Sequence, residues 1–240
     1  MGFGRGGMMG AGGPGMAATV TGAPYTGVEV RTSQQVLATG GTISRTVQST
    51  VARDSQGRVR RETTHKGADG QEVTRVTISD PVAGSVYELD AKNKIAYTRP
   101  ARFPGAATAN GSTSTQPMGA GRRGAQTEAN LKREALAARS MNGMLASGTR
   151  VTRTIPAGSI GNSEALETVR ETWMADDLKV PLMTKTSDPR MGTMTMELTN
   201  VNRSQPDPAL FTVPSDYTVK KGMGGPMGGG RGHGPRPAQE

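Results

Sequence analysis

Large apolar residues are scarce in this chain and are confined to two blocks. Leu, Ile, Val and Phe number 35 of 240 residues, about 15%, which is low for a globular protein. All of them except Phe3, Val20 and Phe103 lie within 23–99 and 131–219. Because a core can form only where such residues are concentrated, the two blocks together predict one modest domain over 23–219.

The remaining segments are rich in glycine and poor in core-forming residues. They predict disordered tails over 1–22 and 220–240 and a flexible insert over 100–130, because little buried surface would offset the entropy of ordering them. Arg-Gly pieces occur in all three, but they lack the interleaved aromatic residues that stack on bases. Nucleic-acid binding through the tails is therefore the less favoured interpretation, and a spacer or solubilising role is favoured.

The formal net charge of +9 is unevenly distributed along the chain. The tails and the insert together carry +6, the block 23–99 carries +3, and the block 131–219 has no net charge. The high isoelectric point is therefore mainly a property of the glycine-rich segments, and it predicts a nearly neutral folded part.

Between the tails, alternating residues and turn signals predict β-structure. Ile43, Val47 and Val51 occupy one face of a strand, and turn residues follow at 54–57 and at 67–70. Short strands separated by turns at this spacing are typical of an antiparallel meander. The predicted fold class is mainly β (α+β).

Two segments, 127–143 and 163–176, fit either a helix or a strand. In the second, Leu166, Val169 and Trp173 have helical spacing, whereas the odd-numbered positions from 165 to 173 fit one face of a strand. In the first, Leu131, Glu134, Ala135 and Ala138 follow helical spacing and Asn-Gly would end the helix, but a strand over the later half is equally defensible. Periodicity leaves both alternatives open.

Several motifs together resemble a group of uncharacterised bacterial envelope proteins. They lie at 54–58, 80–84, 148–150, 155–158, 171–173, 188–192 and 206–211. The second half of that group is similar to the LolA-like lipoprotein-carrier half-barrel superfamily. The resemblance implies a curled antiparallel sheet or half-open barrel with short helices, a strand at 163–176, and a periplasmic or extracellular location.

A lipid carrier needs a large apolar surface for acyl chains. Eight residues are candidates for such a ligand face or for an ordinary core: Leu166, Val169, Trp173, Leu182, Met194, Met196, Leu198 and Phe211. Because apolar residues are so few, the core is the favoured interpretation, and little apolar surface would remain for a ligand.

The sequence predicts a protein that is not an enzyme and has no cofactor or metal. It contains no cysteine, and its two histidines, His65 and His233, cannot form a metal site of three histidines. Asp176 and Asp177 could supply paired carboxylates together with Asp188 or Glu171, but turn chemistry is the favoured interpretation. The expected partner is a lipid or another envelope protein, and self-association through a sheet edge is the structural alternative.

No apolar run approaches the roughly 20 residues of a membrane-spanning helix. The first 22 residues also lack the apolar stretch of about 7 to 15 residues found in signal peptides. Three interpretations are open: a chain from which a signal peptide has been removed, a truncated start, or a cytosolic protein. The resemblance favours the first, a mature exported chain.

Overall fold

The computed structural model describes residues 19–67, 70–101 and 130–222. These residues form one open, mixed sheet of twelve strands. The strands are β1 (Tyr25–Val36), β2 (Thr42–Arg53), β3 (Val59–Lys66), β4 (Glu72–Asp80), β5 (Ser85–Asp90), β6 (Ile95–Pro100), β7 (Leu131–Met141), β8 (Met144–Ile155), β9 (Leu166–Ala175), β10 (Val180–Asp188), β11 (Gly192–Asn202) and β12 (Thr218–Lys221). The mainly β fold class is confirmed. Of the expected short helices, the described ranges contain only the 3₁₀ helix Pro208–Phe211.

The strands follow the order β12-β6-β5-β4-β3-β2-β1-β11-β10-β9-β8-β7. Two antiparallel meanders, β1 to β6 and β7 to β11, are joined where β1 pairs with β11. The short strand β12 is the exception, because it runs parallel to β6. The described sheet has two edges, β7 and β12, and does not close into a barrel.

Turn chemistry fixes the first meander where the sequence predicts it. The fully buried Asp54 carboxylate accepts hydrogen bonds from the backbone N–H groups of Gln56, at 3.0 Å, and Arg58, at 2.8 Å. It also accepts one from Arg58 Nε at 2.6 Å. These bonds close the turn between β2 and β3, so the predicted turn at 54–57 is confirmed.

The two segments with an open assignment both form strands. β7 covers most of 127–143 and β9 covers most of 163–176. Both pair with β8, β7 on one side and β9 on the other. The backbone hydrogen bonds that β7 and β9 form with β8 favour the strand over the helix. Local periodicity fits both alternatives, so pairing with a neighbouring strand decides between them.

Two buried clusters hold the sheet. The first lies at the junction of the two meanders and contains Tyr25, Val51, Met144, Ala146, Trp173, Ala175, Leu178, Leu182 and Leu198. The second lies beneath the 3₁₀ helix and contains Ala52, Val76, Ile78, Leu89, Ala96 and Phe211. Nearly all of the strongly buried apolar residues therefore serve these clusters.

The predicted tails and insert fall mostly outside the described residues. Where they overlap, the backbone N–H of Gly22 donates to the carbonyl of Ser55 at 2.9 Å, and β12 continues to Lys221 beside Thr98. The sheet thus extends two residues past position 219, the expected end of the domain.

Candidate functional site

The strand register defines two faces of the sheet, because residues directly opposite each other in antiparallel strands project to the same side. We call the side that carries Thr32 and Thr195 the groove face. The other side carries Arg133 and Arg170, and we call it the arginine face. Both names apply to strands β7 to β11 together with β1 and β2.

A half-open groove of about 230 Å³ lies on the groove face over β1 and β11. Three opposed pairs line it: Val30 with Glu197, Thr32 with Thr195, and Gln34 with Thr193. Five of these six side chains carry a hydrogen-bonding group. The lining therefore offers hydrogen-bonding groups mixed with apolar surface, and it repeats every second residue on both strands.

Charges of alternating sign extend from the groove along the same face. The cross-strand row reads Glu134, Arg150, Glu171, Lys185 and Thr195. Arg150 donates to Glu171 Oε1 from Nε at 2.9 Å and from Nη2 at 2.7 Å. Opposite charges on neighbouring strands stabilise the sheet, so much of the charge on this face is satisfied internally.

Trp173 lies two strands away from the groove, opposite Met183, which is itself opposite Glu197. The Arg139 guanidinium carbon is 3.8 Å from the centroid of the indole ring, and Arg139 Nη2 is 3.7 Å from Met183 Sδ. On β8, a Cβ at Gly148 would come within 2.7 Å of the ring, so only glycine leaves room for the indole. The ring is thus fixed between a glycine and a cation.

The indole N–H of Trp173 is buried and has no hydrogen-bond acceptor among the described residues. A buried donor without an acceptor costs about 1–3 kcal/mol. The surrounding packing of the ring, and not a hydrogen bond from its N–H group, therefore holds the indole in place.

The eight apolar candidates do not come together as one ligand face. Trp173, Leu182 and Leu198 are buried in the first cluster and Phe211 in the second. Leu166, Val169 and Met196 are half-buried, and Met194 is 53% exposed. None of the eight lines the groove.

Strand β11 contains the signal for the groove, but of its three alternating apolar residues only Leu198 is buried in a cluster. Met194, Met196 and Leu198 alternate with Thr193, Thr195 and Glu197, and the apolar set is the natural choice for the inner face. In the structure the Thr and Glu side chains line the groove. The methionines lie opposite Ser33 and Arg31 of β1, which provide no apolar cover.

The other candidates for chemistry have structural roles or none. Asp177 accepts from the backbone N–H of Leu178 at 2.8 Å and pairs with Arg203, so the predicted turn is confirmed. Asp176 accepts from the Ser147 hydroxyl at 3.0 Å. His65 is exposed near the end of β3. No group of three or more metal-ligating side chains occurs within 19–67, 70–101 and 130–222.

The surroundings of Asp188 and Tyr25 shift the pKa values of both groups. Hydrogen bonds from Arg190 hold the pKa of Asp188 well below its usual range, and a bond from the Thr168 hydroxyl at 2.9 Å acts in the same direction. Burial raises the pKa of Tyr25, and the nearby cations Arg53 and Arg61 offset part of that increase.

No protein-family model matches the chain, and no curated protein matches it. In the part of the chain that the structure describes, no helix is long and apolar enough to cross a membrane.

The chain is similar to several solved structures, among them MucB, a mycobacterial lipoprotein and a LolA superfamily protein. MucB of Pseudomonas aeruginosa, in its complex with MucA, has a TM-score of 0.43 and 13% identity, and the match covers 83% of this chain but only 58% of that one. Lipoprotein LppX of Mycobacterium tuberculosis has a TM-score of 0.33, 14% identity and coverage of 77% and 90%. A LolA superfamily protein of Nitrosomonas europaea has a TM-score of 0.33, 9% identity and coverage of 79% and 90%. The structural matches thus include the LolA superfamily that the sequence motifs resemble, and at these values they extend to no individual site.

Proposed function

We propose that this protein is a non-enzymatic binding protein of the bacterial cell envelope, and that its groove takes an extended polar segment of another envelope protein. The observation that carries the proposal is the lining of the groove. Thr32, Gln34, Thr193 and Thr195 present hydroxyl and amide groups at every second position of two paired strands. An extended polypeptide has the same two-residue repeat, so its polar groups can meet these side chains in turn.

The groove is poorly suited to acyl chains. Sites for small apolar ligands usually have volumes of about 300–1,000 Å³ and mainly hydrophobic walls. This groove has about 230 Å³ and is lined mostly by polar side chains. The large apolar side chains that could form such walls, including Leu182 and Phe211, are already buried in the two clusters.

Charge gives the groove a preference for one kind of segment. Glu197 lines it, is exposed, and has no ion-pair partner among the described residues. By contrast, Glu171 on the same face is already paired with Arg150. A segment carrying a lysine or arginine would supply the missing partner for Glu197.

The absence of catalysis and the location in the envelope are parts of the same proposal. The location is supported by the motif resemblance of the sequence. The proposal that the protein is not an enzyme is supported by the structural roles of the carboxylates that were candidates for acid–base catalysis. Asp177 and Asp188 are both used in turns with bonds to arginine.

Self-assembly through sheet edges is less well supported, because both described edges have protective features. β7 carries Lys132 and Arg133 and has a register irregularity between Leu136 and Arg139. β12 has four residues, two of them lysines. Charge, irregularity and shortness all discourage edge-to-edge pairing. The nucleic-acid alternative depends on the tails, which lie mainly outside the described residues.

The proposal is tested by crosslinking in cells that export the full chain. A photoreactive amino acid replaces Thr195 in the groove or, as the matched control, its neighbour Met194 on the arginine face. We expect the Thr195 position to crosslink to one discrete envelope protein, and substitution of Glu197 by Gln to weaken that product. Equal crosslinking from both positions, or none from Thr195, would contradict the proposal.

A second experiment separates a polypeptide from an acyl-chain ligand. Trp173 is the only tryptophan, so quenching by a brominated fatty acid would report acyl chains bound beside the groove. We expect no saturable quenching. Saturable quenching that is lost when Thr195 is replaced by a bulky residue would show that the groove binds lipid instead.

A further inference from the structure

We propose that the arginine face docks on the surface of an anionic lipid bilayer. This proposal does not depend on what the groove binds, because it concerns the opposite side of the same strands.

One row of the arginine face crosses seven consecutive strands from β7 to β2. It consists of Arg133, Val151, Arg170, Thr186, Met194, Ser33 and Arg45. The row contains three arginines and no acidic residue. At about 4.8 Å between strands, it extends for roughly 29 Å across the sheet. Positive charge is therefore spread over a broad surface and not gathered in a pocket.

The rows on either side add to the same charge. One contains Arg31 and the other contains Arg153 and Asp188. Asp188 is the acidic residue in these two rows, and its Oδ2 atom is 2.7 Å from Arg190 Nη2 in an ion pair. Arg31 is paired with Glu29 at 2.7 Å. The acids within reach are therefore already engaged by neighbouring arginines.

Four arginines on this face have no ion-pair partner among the described residues. They are Arg45, Arg133, Arg153 and Arg170, and all four are exposed. On the groove face, by contrast, Arg150 is bonded to Glu171 and Lys132 to Glu134. Unpaired arginines that repel one another add nothing to the stability of the sheet, and an external anion would offset their repulsion.

Three of these four residues lie close together. Arg133 and Arg170 flank Val151 in the row, and Arg153 is two residues further along β8. The strand geometry places their Cα atoms roughly 8–10 Å apart. Guanidinium groups at this spacing can converge on one phosphate or bind neighbouring phosphates, with the bidentate bonds that arginine forms to such groups.

Apolar side chains among the arginines favour a bilayer over a nucleic acid. Met194 in the central row is 53% exposed, and Ile43, two residues from Arg45, is 54% exposed. Met191, in the turn at the edge of this face, is 65% exposed. The rows contain no aromatic side chain on which bases could stack. Basic residues mixed with exposed apolar ones suit the boundary between lipid headgroups and acyl chains.

The test measures sedimentation of the full chain with vesicles. One set contains phosphatidylcholine alone and the other contains phosphatidylcholine with phosphatidylglycerol. Two double variants with the same loss of charge are compared: Arg133→Gln with Arg170→Gln on the arginine face, and Lys132→Gln with Lys185→Gln on the groove face. Unchanged thermal unfolding midpoints establish that both variants remain folded.

A basic residue at an anionic surface strengthens binding about fivefold, so we expect the arginine-face variant to bind phosphatidylglycerol vesicles roughly 30-fold more weakly. The groove-face variant should lose less than about threefold, because its charges are on the far side. Equal losses in the two variants would overturn the proposal, since net charge alone would then explain binding. Undiminished binding of the arginine-face variant would overturn it as well.

A parallel titration with a single-stranded polynucleotide distinguishes the alternative ligand. If the arginine-face variant loses polynucleotide binding but keeps vesicle binding, the face is a nucleic-acid surface and the proposal is wrong. Loss of vesicle binding with little change towards the polynucleotide is the result that supports it.

Discussion

The two faces of the same strands differ in how their charged side chains are paired. On β9, Glu171 and Trp173 project to the groove face, whereas Arg170 and Thr172 project to the arginine face. The first pair is bonded to or packed against neighbours, and Arg170 is exposed without an ion-pair partner in the described part of the chain. The net charge of a whole strand does not show this difference between the faces, because successive residues of a strand project to opposite sides of the sheet.

The difference also separates stability from binding. Interactions on the groove face, such as the one between Arg150 and Glu171, are made within the sheet and stabilise it. The unpaired arginines on the other side make no comparable interaction and are free to bind an external group. Substitutions on the two faces should therefore affect different measurements.

The largest contrast is expected at Trp173 and its neighbour Thr172. Replacement of Trp173 by Ala should lower the free energy of unfolding by about 3–5 kcal/mol, because it leaves a cavity beside the first cluster. Thr172→Ala, on the arginine face, should cost less than about 1 kcal/mol. Chemical denaturation of both variants measures the difference, and similar losses would show that the faces do not differ in packing.

A smaller effect is expected at Gly148, which lies against the indole. Its replacement by Ala should lower the free energy of unfolding by about 1–3 kcal/mol, because the new methyl group would overlap the ring and Leu136 Cβ. Thr149→Ala, at an exposed position on the other side of the strand, is the control. Near-ultraviolet circular dichroism should also report a displaced indole, and an unchanged spectrum with full stability would contradict the close packing.

Asp188 provides a test that depends on pH. Its pKa is lowered in the folded protein, so it contributes stability above the unfolded value of about 4 and loses that contribution as the pH falls towards the folded value. Asp188→Asn should cost about 1 kcal/mol at neutral pH. The difference from the unchanged protein should shrink below pH 4, and a constant difference would show that the ionised carboxylate contributes nothing.

The smallest expected effect compares Glu171 with Arg170. Glu171→Gln breaks the ion pair with Arg150, which is partly exposed, and should cost about 0.5 kcal/mol. Arg170→Gln should cost nothing or be slightly stabilising, because it removes a like charge near Arg133 and Arg153. Added salt should reduce both effects, and a destabilising Arg170→Gln would mean that this arginine has a partner within the protein.

The sequence predicts those features that depend on near neighbours. Alternation of Ile43, Val47 and Val51 predicts β2, and Asp54 predicts the turn that follows. These features depend on local hydrogen bonds and on the two-residue repeat of a strand. The parallel pairing of β12 with β6 depends on contacts between distant segments and has no local signal.

The two proposed binding surfaces also cannot be predicted from local sequence patterns, for a related reason. Arg133, Arg170 and Arg45 come together only when the register of seven strands is known. The orientation of β11 depends on what the adjacent strand β1 offers to each side, and β1 offers Arg31 and Ser33 to the methionines. Apolar alternation predicted which residues share a face, but not which face is enclosed.

Methionine oxidation tests the central claim most directly. The claim is that the arginine face binds an anionic lipid surface, whereas the opposite face carries the groove. Met194 lies on the arginine face and Met183 on the groove face, so mass spectrometry can follow one residue on each side in the same sample. Phosphatidylglycerol vesicles should slow the oxidation of Met194 and leave that of Met183 unchanged. Protection of Met183 in place of Met194, equal protection of both, or protection of neither would contradict the division of roles between the two faces.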